Sequence, residues 1–174
     1  MSPDELRSVL NQLEEGTAAV RAELESVSEQ QAAWRPDAGR WSIRDCVGHV
    51  ALAETMLLDL IANQSFPFEP ATSGREEGYL RHSTNRSRKF EAPEGLRPEA
   101  RFSSVEGGLR AFLEARESTV RYLETVGDDL HARKTIHPVA GEITCRECLA
   151  LLIGHPLRHL DQIREIRSTP GFPG

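Results

Sequence analysis

Residues 144–167 read TCRECLALLIGHPLRHLDQIREIR, and whether they form one helix or two fragments decides the fold. Thr144 with Glu147 three residues later is a capping box, the signature of a helix start. Cys148, Leu152, His155, His159, Gln162 and Ile166 then step by three or four, which draws one stripe down a helix. Pro156 opposes this reading. It has no N–H for the Leu152 carbonyl, its ring crowds that carbonyl, and inside a helix this costs about 3 kcal/mol or more. It also biases His155 away from helical geometry. The stripe nevertheless resumes after the proline without a change of phase. A continuous helix bent at Pro156, with the Leu152 carbonyl near the hinge, is the expectation.

Working outward, the N-terminal segment repeats the pattern. Ser2 and Glu5 form a capping box, Pro3 takes the favoured first position, and Leu6, Leu10, Leu13, Thr17, Val20 and Leu24 align on a helix expected from Ser2 to about Val27. Residues 28–41 read as a connector. Ser42 and Asp45 then cap a second helix, with Trp41 placed to staple onto Cys46, and this helix extends to about Asn63. Its inward stripe is Cys46, His49, Ala53, Met56, Leu57 and Leu60. Residues 64–102 carry scattered Pro and Gly and a basic run, RHSTNRSRK; no sustained helical stripe runs through them, though the sequence allows a short helix near 75–85. A connection of this length is uncommon in a compact domain and suggests a lid or a disordered segment. A third helix is expected from Ser103, with Glu106 as its box acid, and Gly127 marks its stop. No strand is apparent. The pattern predicts an all-α protein: one domain over residues 1–174, a four-helix bundle with a long connection between helices two and three.

The bulk numbers narrow the function. A 174-residue chain with 39% hydrophobic and 28% charged residues has enough material for one core. The net charge of −6 comes with no Lys/Arg cluster suited to a phosphate backbone, so nucleic acid is not an expected partner. No apolar run approaches the roughly 18 residues of a membrane span, and the polar, acidic start does not read as a secretory signal. Three cysteines, an odd number, argue against a disulfide framework and for a reducing, cytoplasmic setting.

Chemistry gathers on the inward stripes. His155 and His159 lie one turn apart, and His49 comes from a helix that a bundle places about 8–10 Å away. Three neutral imidazoles leave coordination positions open on a metal, which is the catalytic rather than the closed structural pattern. The plainer reading is three core histidines with satisfied hydrogen bonds. Asp45, one turn before His49, is either the acceptor for its outer N–H or simply the helix cap. Gln162, one turn beyond His159, and His137, just ahead of helix four, are candidate catalytic groups. Gln162 could equally cap a neighbouring helix, and His137 could be a loop residue. Cys46 and Cys148 read as small core residues. Cys145 with Cys148 spells CREC without the βαβ context of a redox motif. His82 and His131 read as solvated. Arg81, Arg86 and Arg88 could hold a carboxylate or phosphate, or belong to a solvated lid.

The stretches RWSIRDCVGHVALAE, HPVAGEIT and GHPLRHLDQIREI, in that order, resemble the DinB-like superfamily of metal-binding four-helix bundles; SRKFEAPEGLRPEARFSS and the GFP of the tail resemble one branch of it. The resemblance spans nearly the whole chain. It implies that His49, His155 and His159 hold a divalent metal, zinc or nickel. It further implies a small-molecule substrate. In some relatives a low-molecular-weight thiol such as bacillithiol or mycothiol is transferred, and others are regarded as metal-dependent hydrolases. A non-catalytic metal-binding or sensing bundle is the third reading. Bundles of this kind often pair, so a homodimer is a further expectation. Pro156 is a departure, since relatives carry a small or polar residue there.

Overall fold

Each long helix forms where its sequence closes the free N–H groups at its start. The computed structural model describes residues 1–69, 75–87, 90–98, 101–127 and 129–174; Arg88 lies outside them. Helix α1, Pro3–Leu24, starts from the Ser2–Glu5 capping box. Helix α3, Ile43–Ala62, starts from Ser42–Asp45, and the last helix, α6, Cys145–Arg167, starts from Thr144–Glu147. Helix α5, Val105–Thr125, differs from expectation. Its cap is Ser104, one residue later than Ser103, and the Ser104 hydroxyl accepts from Gly107 N–H. Position three of the helix is therefore a glycine, and Glu106 cannot complete a box. Glu29 instead closes the next free donor, its carboxylate accepting from Val105 N–H at 3.0 Å. These four helices make the bundle.

Helix α6 runs through Pro156 without interruption. The helical stripe outweighs the proline because the residues on both sides of it are buried: Leu152, Ile153, Leu160 and Ile163.

Smaller elements escaped the sequence reading. Ser28 and Gln31 form a capping box on a one-turn helix, α2, Glu29–Ala33, inside the expected connector. It supports the tail: Gln31 Nε2 donates to the Pro173 carbonyl, and Trp34 meets Phe172 edge to face at 5.6 Å. Five residues are too few to show periodicity. The chain also has a three-stranded antiparallel sheet in the order β1–β2–β3, formed by Phe66–Pro67, Arg133–His137 and Gly141–Thr144. The β2–β3 register pairs Lys134 with Thr144 and His137 with Gly141, whose φ of 73° suits glycine at the turn. In the connection, helix α4, Glu76–Thr84, and a 3₁₀ turn at Glu94–Leu96 are both ordered.

The core has two apolar clusters. One holds Leu13, Leu57, Leu60, Leu123, Leu149 and Leu152; the other holds Val20, Val47, Val50, Phe112, Leu160 and Ile163. Along the helices, Glu54 on α3, Arg116 and Thr119 on α5 and His155 on α6 fall between the two sets, and His49 and His159 stand among the second. Glu54, Arg116, Thr119 and His159 are buried. The bundle thus has a polar waist. Among the described residues, no helix is long and apolar enough to cross a membrane.

Candidate metal centre

The three stripe histidines converge. One ring nitrogen from each of His49, His155 and His159 lies within 4.8 Å of the others. His49 Nε2 is 3.1 Å from His155 Nε2, which is 3.2 Å from His159 Nε2. An ion about 2.0–2.1 Å from each nitrogen would set the nitrogens about 2.9 Å apart as neighbours in an octahedron and about 3.4 Å apart in a tetrahedron. The observed edges fall between these.

Proton bookkeeping explains why a cation suits this cluster. His49 Nδ1 is 2.8 Å from the Leu96 carbonyl, which can only accept. In the neutral ring, Nδ1 is therefore assigned the proton, and Nε2 presents a lone pair. His155 Nε2 faces two imidazoles, and one proton there satisfies a single contact. At least one of the two close contacts is left without a hydrogen bond, whereas a cation at the centre would use all three lone pairs. His159 Nδ1 is also buried with no hydrogen-bond partner among the described residues. His155 and His159 are held neutral. Burial pushes both His155 and His159 well below the usual imidazole range; His49 and Arg158 add to this for His155, and His155, His49, Arg158 and Arg86 for His159. The residues present fit a divalent metal.

Neighbours set the access. Trp41 packs against His49 at 4.8 Å and stacks on His159 at 6.0 Å between ring centres. Val47, Val50, Phe112, Pro156 and His159 line a small apolar cavity. The connection closes much of the remainder. A Cβ on Gly154 would lie 1.9 Å from Ser83 Oγ, and one on Gly48 would lie 2.6 Å from Phe102 Cδ2. Glycine at these two positions lets α4 and the end of the connection lie directly on the helices that carry the histidines. Arg75 ties the start of α4 to Glu147 at 2.7 Å. His49 and His159 are buried, while His155 keeps partial exposure.

The other sequence candidates take different roles from those first expected or are bound to partners of their own. Asp45 is the cap: its Oδ2 accepts from Ser42 N–H and Oγ and pairs with Arg35 at 2.9 Å. The outer N–H of His49 goes to Leu96 instead, a backbone carbonyl 47 positions away that stripe reasoning does not reveal. His137 Nδ1 accepts from Val139 and Ala140 N–H, so that nitrogen closes the β2–β3 turn rather than serving as a base. Gln162 Oε1 accepts from Arg86, whose Nε and second terminal nitrogen hold both oxygens of Glu165. Arg81 pairs with exposed Glu77. His131 is paired with Glu5 at 3.0 Å rather than solvated, and exposed His82 packs against Phe90. The three thiols are free and buried, and burial raises them all, which disfavours a thiolate nucleophile.

Comparison with known proteins gives a consistent picture. The model of the DinB superfamily matches residues 12–163. The chain is 28% identical over 150 residues to the uncharacterized protein YuaE of Bacillus subtilis (strain 168), covering 84% of this chain and 89% of YuaE. It is also similar in structure to YfiT from Bacillus subtilis, described as a probable metal-dependent hydrolase with an unusual four-helix bundle topology. The TM-score is 0.62 at 19% identity, covering 99% of this chain and 91% of YfiT. At that identity the likeness speaks to the fold.

Proposed function

The chain belongs to the DinB superfamily, and from that premise we propose a metal-dependent enzyme: His49, His155 and His159 hold one divalent ion, zinc or nickel, and the protein transfers a low-molecular-weight thiol to a small electrophile. The observation that carries the reading is the convergence of three Nε2 atoms that cannot satisfy one another. Such an ion, when bound, supplies Lewis acidity and lowers the pKa of a thiol or water that meets it. The chain does the rest. The Leu96 carbonyl fixes the His49 tautomer and ring plane. Trp41 and α4 exclude water from the buried side, and the partial exposure of His155 leaves an approach for a small molecule. Gln162, with its oxygen fixed by Arg86, is the candidate group to meet the substrate. The three free buried cysteines support a reducing, cytoplasmic setting.

A hydrolase is the second reading, favoured by the likeness to YfiT. Zinc-loaded protein assayed with 1-chloro-2,4-dinitrobenzene, with and without added thiol, and with 4-nitrophenyl acetate without thiol, separates the two. Thiol-dependent turnover lost in His159→Ala supports transfer. Ester cleavage independent of thiol, lost in the same variant, would replace it with hydrolysis.

A further inference from the structure

Positive charge collects on the open side of the histidine cluster. Arg158 sits on α6 one residue before His159 and three after His155. Its guanidinium donates to the Asn85 carbonyl and lies 5.6 Å from the Phe90 ring centre. Arg86 reaches over from the connection to Glu165 and Gln162. Arg40 precedes Trp41, the ring that covers His49 and His159. Arg158 and Arg86 share one neighbourhood, because Arg158 donates to the carbonyl of Asn85, the residue before Arg86, while Arg86 holds Glu165; these two and Arg40 hold the Glu165 carboxyl below its usual range. A divalent ion at the histidines would add to the same positive field.

Such a mouth favours an anion, and its chemistry selects the kind. A guanidinium matches a planar carboxylate through two parallel N–H···O bonds. The protein's own Glu165 demonstrates the match, held by Arg86 at 2.8 and 2.7 Å. Phe90, 45% exposed beside Arg158, offers an apolar surface next to the charge.

We propose that Arg158, supported by Arg86 and Arg40, forms a subsite for a carboxylate on the small molecule that the histidine centre acts on, with Phe90 covering the adjoining carbon chain. The proposal rests on the metal-centre reading above. The test uses full-length protein loaded with cobalt, whose visible absorption reports thiol binding. It is titrated with mercaptoacetate and with 2-mercaptoethanol, which differ mainly in carboxylate against hydroxyl. The wild type is expected to prefer mercaptoacetate about tenfold, the size of one charge-assisted contact. Arg158→Gln should bring the ratio of the two affinities close to one, Arg158→Lys should retain part of the preference, and Arg40→Gln should lower it less. Each ratio is internal to one variant, so a general weakening of the site cancels. Equal affinities in the cobalt-loaded wild type, or a ratio unchanged in Arg158→Gln, would overturn the subsite alone. Failure of the wild type to take up cobalt would remove the metal reading and the subsite with it.

Discussion

Two polar groups interrupt the apolar interior, and they are built to opposite plans. In the first, Arg116 on α5 donates from one terminal nitrogen to Glu54 on α3 at 2.9 Å and from the other to the Leu13 carbonyl of α1, and Glu54 also accepts from the Thr119 hydroxyl; Arg116 Nε, 2.8 Å from Glu54, is an ion-pair contact without a hydrogen bond. Charge meets charge, and three helices are tied together. In the second, His49, His155 and His159 point the same atom at one another, and the single Nε2 of His155 cannot hydrogen-bond by one proton across both close contacts. A buried polar cluster whose opposite charges pair with each other is structural. One that lacks something at its centre is arranged around a ligand.

This contrast is open to attack, beginning where the effect is largest. Arg116→Met strands Glu54 in the core, and urea unfolding should show a loss of about 3–5 kcal/mol whether or not metal is present. His49→Ala or His159→Ala should behave in the opposite way. The metal-free variants should stay folded within about 1 kcal/mol of the wild type, since the apolar clusters are untouched. They should lose the gain that zinc brings to the wild type, about 2.7 kcal/mol at free zinc one hundred times the dissociation constant. A metal-free histidine variant unfolded at room temperature would erase the distinction.

The histidine cluster was legible because its members lie on helical stripes, where spacing of three or four residues states direction. The same logic read the caps of α1, α3 and α6. What it missed has a physical pattern. Helix α2, with 5 residues, and strands of 2 to 5 residues are shorter than the periods that would reveal them. The acceptor for His49 is a backbone carbonyl, which no side chain announces. Asp45 had two readings, and the cap prevailed because the Ser42 N–H lies within immediate reach while Arg35 takes the same oxygen. The long connection read as a lid or disordered segment, but its described parts are seated on α3 and α6 through Gly48 and Gly154.

That seating sharpens the comparison further. Gly154→Ala would drive a methyl into Ser83. Overpacking of about 1–3 kcal/mol is expected, and trypsin should cut the connection faster. An unchanged cleavage rate would show that α4 is not held against the histidine helix.

The smallest effect belongs to a polar group completed at the surface. Ser2 N–H and then His131 hold Glu5 down at about 2, against its ordinary 4.5. The folded value is the lower one, so this stability is present above pH 4.5 and fades as pH falls toward 2. The group is exposed and screened, so Glu5→Gln should flatten the acid limb by less than about 1 kcal/mol.

The central claim is that the interior of the bundle holds one divalent ion on His49, His155 and His159. Elemental analysis of protein prepared without a histidine tag tests it most directly. The account predicts close to one equivalent of zinc or nickel in the wild type and a sharp fall in His49→Ala and in His159→Ala. A wild type free of metal, or an equivalent of metal that persists in both variants, would contradict it.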